Sequence, residues 1–156
     1  MYLYLPHRNM KLLPIYFQNV AGQLLEDPSG FLRANWSTQP RALEDTQALF
    51  THMLQALQHR RWSRILVNQV GMRPFSSEEQ AWIAKEWLLR AVREGGYRHG
   101  AVVVSPDVMV RLATAYVTTQ VHDVPLVYRS FEAEPSAVQW LLQQPRFSQH
   151  RPPAYA

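Results

Sequence analysis

The chain contains no cysteine. Disulfides, thiolate nucleophiles and cysteine–zinc sites are thereby excluded. It contains no apolar run approaching the ~20 residues a membrane-spanning helix needs. Its opening, MYLYLPHRN, lacks a basic head followed by a long apolar core. No export signal is therefore expected, and the cytoplasm is the expected compartment. The glycine patterns that cradle phosphates are missing, and so is the G-x-S-x-G elbow of serine hydrolases. Metal sites on helices usually use ligands one turn apart, but His52 and His59 are two turns apart and His52 has no acidic neighbour one turn away. With His7, His99, His122 and His150 they are expected as surface or loop residues. No metal or cofactor is expected, and no catalytic motif stands out.

What is present is an ordinary globular composition. Of 156 residues, 47% are apolar and 18% charged, which suits one domain with a core of normal size. The net charge of +4 comes mostly from arginines that are spread out. Their tightest cluster, His59-Arg60-Arg61 with Arg64, reads as the solvated end of a helix, where cations suit the dipole. Nucleic acid is not an expected partner.

Hydrophobic periodicity and turn residues predict the elements. Residues 1–14 form an N-terminal extension with an apolar arm, Tyr2 to Leu5. Ile15 to Leu25 is one strand, Asp27-Pro28-Ser29-Gly30 a turn, and Phe31 to Trp36 a second strand. Helix one carries Leu43, Thr46, Phe50, Met53, Leu54 and Leu57 on one face. The central stretch, Arg64 to Arg93, is a buried strand, a polar loop and a long amphipathic helix with Ile83, Ala84, Trp87, Leu88 and Ala91 on its core stripe. A strand at Ala101 to Val104 leads to a helix whose Val108, Leu112, Ala115 and Thr119 are expected inside. That helix should fray at its β-branched end. A last strand, Leu126 to Tyr128, precedes a helix opened by Pro135 and stopped by Pro145. The domain thus spans 15–145, and 146–156 is expected as a loose tail. The order is β-β-α-β-α-β-α-β-α: a mixed, mainly parallel five-stranded sheet with an antiparallel hairpin and four helices.

Several residues are candidates for function. Ser76 and Glu79 have the spacing of a capping box. With Ser77 they stand at a helix N-terminus, where anions are favoured. Asn68, Gln69, Arg73, Ser105, Asp107, Arg129 and Ser130 follow strands, and parallel sheets place ligands beyond those ends. Trp82 lies about 140° from Trp87 on the helix, as an exposed anchor or a residue of a wide core boundary. Ile65-Leu66-Val67, Ala101 to Val104 and Leu126 to Tyr128 are apolar on both faces, so something must cover the second face. Helices divided between the faces are expected, with a homodimer using the remaining surface near Trp82 as the further expectation.

The phrases LEDPSG, ILVNQVGMRPFSSEEQAWIAKEWLLRAV and AVVVSPDV, in this order, resemble the SpoIIAA-like proteins, small bacterial domains of the STAS type. The resemblance covers about residues 15–142. It implies a β-α superhelix with sequential strands and helices mainly on one face. It also implies a non-catalytic regulatory domain that binds a protein partner and is switched by phosphorylation of a serine at the start of the helix after the third strand. Ser76 and Ser77 match that region. The Phe75-Ser76-Ser77-Glu78 stretch lacks the family's aspartate and glycine, so neither serine is expected to be a specific switch. Related lipid-transfer folds leave carriage of a small or lipid-like ligand as the second expectation. An enzyme using polar groups at the strand ends is the third. Expected site residues are Asn68, Arg73, Ser76, Ser77, Asp107, Arg129 and Trp82, all for a ligand or partner.

Overall fold

A computed structural model describes residues 13–147. The apolar arm and the end of the tail lie outside the described residues. The chain forms one six-stranded sheet in sequential order: β1 (Ile15–Gln18), β2 (Gly22–Asp27), β3 (Phe31–Trp36), β4 (Arg64–Asn68), β5 (His99–Val103) and β6 (Val127–Phe131). The first three strands are antiparallel and the rest parallel.

The sixth strand corrects the single strand expected from Ile15 to Leu25. Asn19 breaks it: its Oδ1 accepts from the N–H groups of Ala21 (2.9 Å) and Gly22 (3.3 Å), and its own N–H donates to the Gly22 carbonyl. Apolar Val20 and Ala21 hide this turn from a hydrophobicity pattern. The next turn is of the expected kind. Asp27 accepts from Ser29 N–H, and Gly30 takes φ 93°, a left-handed backbone favouring glycine.

Four helices accompany the sheet. They are α1 (Leu43–Arg60), α2 (the contiguous segments Ser77–Trp82, Ile83–Trp87 and Leu88–Arg93), α3 (Val108–Thr119) and α4 (Glu134–Leu142). The middle segment of α2 is a π-helical turn, in which Leu88 N–H donates to the Ile83 carbonyl. The first three helices are crossovers between parallel strands. Uniform handedness in a sheet growing one way puts crossovers on one face. Their buried residues join the sheet's Leu24, Leu32, Ala34 and Ile65 in the larger core.

α4 is no crossover and covers the other face. Its Ala137 and Leu141 pack on Phe31, Leu66, Ala101 and Val103. The helices are thus divided between the faces, three to one. Two sheet arginines hold α4 at its ends. Arg33 bonds Glu134 (3.0 Å) at the N-terminus and Asp27 (2.8 Å) beside it. Arg64 donates to the carbonyls of Leu141 (2.9 Å) and Gln144 (3.2 Å) at the C-terminus and of Ser29 and Gly30 in the hairpin turn. Arg64 is only 2% exposed, so it does not belong to a solvated cluster. His99, expected on the surface or in a loop, is a half-buried strand residue in register with it. The tail is also tied at its start. Ser63 bonds the carbonyls of Pro145 and Arg146, and Phe147 bridges Trp62.

The expected inner face of α3 is reversed. Val110, Ala113 and Val117 are buried, whereas Val108, Met109, Leu112 and Tyr116 are 52–63% exposed. The helix carries two apolar stripes, and periodicity alone does not choose between them. Its β-branched end stays helical, with the Thr118 and Thr119 hydroxyls bonding back to the carbonyls of Ala115 and Tyr116.

Candidate functional site

The expected site residues do not converge. Ser76 caps α2: its Oγ accepts from Glu79 N–H (3.1 Å), and Glu79 accepts from Ser76 N–H (2.7 Å), which completes the capping box. Glu79 is itself buried, bonded by Arg41 (2.8 and 3.1 Å) and by the Thr46 hydroxyl. Burial alone would raise its pKa, but these hydrogen bonds, with the Arg41 charge, hold the carboxyl below its ordinary value. Asp107 caps α3 through Met109 N–H (2.8 Å), and Asn68 accepts from Val70 N–H (2.9 Å) in a turn. Arg73 donates to the Thr38 carbonyl, and Arg129 stacks over Phe131 in its own strand. Trp82 is half-buried, 6.1 Å from the Phe50 ring, which places it on the core boundary. Ser77 alone among them lines a groove with residues of another helix.

That groove, ≈ 390 Å³, runs between α2 and α3. Ser77, Ala81 and Ala84 give it small residues on one side, with Lys85 beside them, and Tyr116 and Gln120 form the other. Tyr116 also belongs to the exposed stripe of α3. With Val108, Leu112, Ala115 and Thr119 it occupies an arc of roughly 100° without a charge.

A second concavity lies between α3 and the edge strand β6. The cleft is ≈ 440 Å³ and opens at the carboxyl ends of β4, β5 and β6. Behind it, a cavity of ≈ 40 Å³ reaches into the larger core. Its walls are aromatic. Phe75, Trp36, Phe50, Trp87, Tyr97 and Tyr128 follow one another with ring centroids 4.7–5.9 Å apart. The π-helical turn supplies Trp87, whose indole N–H donates to the Phe50 carbonyl (2.6 Å). Such turns recur at functional sites. Gly100 makes room for the tyrosine pair: a Cβ there would stand 2.3 Å from the Tyr97 hydroxyl and 2.4 Å from the Tyr128 ring. Burial raises both phenol pKa values, that of Tyr128 to about 12, so both stay neutral donors.

Gln69 was legible as a strand-end residue. Arg111, Thr114, Thr118, Tyr128 and Glu132 were not, because only the packing of α3 beside β6 brings them together. Among the described residues no three of His, Asp and Glu are placed to hold a metal ion, and no helix is long and apolar enough to cross a membrane. Comparisons with protein-family models, with curated proteins and with solved structures give no match.

Proposed function

We propose that the protein is a non-catalytic regulatory domain of the SpoIIAA-like, STAS type, acting in a bacterial cytoplasm through a protein partner. The observation that carries this reading is the outward stripe of α3. A helix apolar on both sides is ordinarily buried on both, yet Val108, Met109, Leu112 and Tyr116 face solvent. The sequential strand order and the three crossover helices on one face support the same family. The occupant is an amphipathic helix of another protein. α3 is roughly 18 Å long, and the small residues Ser77, Ala81 and Ala84 let a helix backbone approach its flank. Ser76 serves as a cap and Glu79 stands against it, so neither Ser76 nor Ser77 acts as a phosphorylation switch in this reading.

Carriage of a lipid-like ligand has less support, because the aromatic cavity is ≈ 40 Å³ and pockets for such ligands measure several hundred. A reading as an enzyme has less support: the titratable groups that meet in a cleft, Glu26 and Arg60, are paired with each other as an ion pair. A photo-crosslinking amino acid placed at Leu112 or Tyr116 in the cell of origin tests the proposal. One adduct of defined mass to a different protein is expected, absent from a control at the exposed Gln55 of α1 and lost with Lys85→Glu plus Val108→Glu. Adducts only to a second copy of the chain, or adducts equal to the control, would refute it.

A further inference from the structure

The α3–β6 cleft and the cavity behind it are adjacent and share a wall, and the outward Val108, Met109, Leu112 and Tyr116 line neither. Gln69, Val102, Thr114, Thr118 and Tyr128 border both. The opening lies beyond the carboxyl ends of parallel strands, where such sheets bind ligands.

Three features define what fits. The first is Gln69 at the neck. It is 3% exposed, its Oε1 accepts from the Thr114 hydroxyl (3.2 Å), and its backbone N–H is fixed to the Val103 carbonyl (3.0 Å). Its amide nitrogen has no acceptor among the described residues. That nitrogen is not sealed from solvent, so it is a donor available at the wall of the cleft.

The second is the rim, which carries one charge of each sign. Arg111 is anchored through Nε to the Ser105 carbonyl (2.6 Å), which leaves its terminal nitrogens without a bond among the described residues. Glu132 forms no ion pair there either, with Arg111 or with any other residue described. The third is the inner end, which is apolar and small. Its ≈ 40 Å³ equals roughly three water positions, the space of a short branched hydrocarbon.

We propose that this space binds a small zwitterion with a short apolar tail, an aliphatic α-amino acid of valine to leucine size. The carboxylate sits between Arg111 and the Gln69 amide, the ammonium faces Glu132, and the tail passes Thr118 and Tyr128 into the aromatic cavity. Arg111, the Gln69 amide and Glu132 then each meet a complementary group.

L-leucine is the probe. Trp36 and Trp87 line the cavity, so their fluorescence reports occupancy, and calorimetry gives the stoichiometry. Saturable one-to-one binding is expected, at least about tenfold tighter than binding of 4-methylpentanoate or 3-methylbutylamine, which each lack one charge. Arg111→Met and Glu132→Gln should each weaken it about tenfold or more while melting like the wild type, since both residues are exposed. Leu112→Glu, on the outer stripe, should leave it unchanged, which separates this site from the docking face. The proposal fails if leucine does not saturate, if 4-methylpentanoate binds equally well, or if the two rim variants bind as the wild type does.

Discussion

The two faces of the sheet are built on different principles. The face under α1, α2 and α3 is closed by bulk: large apolar and aromatic side chains interlock, and the polar groups that enter it are few. The face under α4 is closed by a much smaller apolar cluster and by arginines. Phe31, Leu66, Ala101 and Val103 offer α4 a narrow strip, and Arg33 and Arg64 fix its two ends. The signs suit the helix: a carboxylate at its start is stabilising, and a cation at its last carbonyls likewise. The difference teaches how a helix that buries only Ala137 and Leu141 can still be placed uniquely. Apolar contact holds it to the sheet, and directional bonds set its position along the sheet.

The largest expected effect is on the three-helix face. Trp87→Ala removes an indole that is 3% exposed, together with its bond to the Phe50 carbonyl, and widens an existing cavity. A loss of about 3–5 kcal/mol is expected by urea unfolding, with the whole domain melting in one step. Next is Arg64→Met on the α4 face. Four carbonyls lose a donor, and a loss of about 2–4 kcal/mol is expected. Hydrogen exchange should show α4 released first while α1 stays protected. Arg64→Lys should rescue little, because one ammonium cannot span both the turn and the helix end. Equal deprotection of α1 and α4 would erase the distinction between the faces.

Smaller is the cap. Ser76→Ala should cost about 1 kcal/mol and Ser77→Ala close to nothing. The reverse order would move the cap by one residue. Smallest is a difference in acid response. His99, on the α4 face, has its pKa lowered by burial and then by Arg64 and Arg98. The unfolded chain therefore takes up its proton first, so this contribution fades as pH falls below about 6.5. Glu79, on the other face, also has a lowered pKa. Its contribution is present above the unfolded value of about 4.3 and is lost as pH falls through the folded one. Melting temperature against pH should thus decline in two stages, and His99→Phe should remove only the upper one.

Much of the fold is written locally. Gly95-Gly96, Pro135 and Asp27-Pro28-Ser29-Gly30 punctuate the chain where helices and strands end, because their backbones restrict what can continue. Ser76 with Glu79, and Asp107 before α3, cap helices by bonds spanning only a few residues. Such features depend on near neighbours, so the sequence by itself determined them. Tertiary structure decided the rest. Arg41, Arg33 and Arg64 each take a partner 38, 101 or 77 positions away, which local sequence does not reveal. The π-helical turn sets Trp87 against Phe50, and the inward side of α3, Val110, Ala113 and Val117, is fixed only by packing in the larger core. The cleft beside β6 has the same origin. Gln69, Arg111 and Glu132 are remote in sequence and line one cleft only in the folded chain.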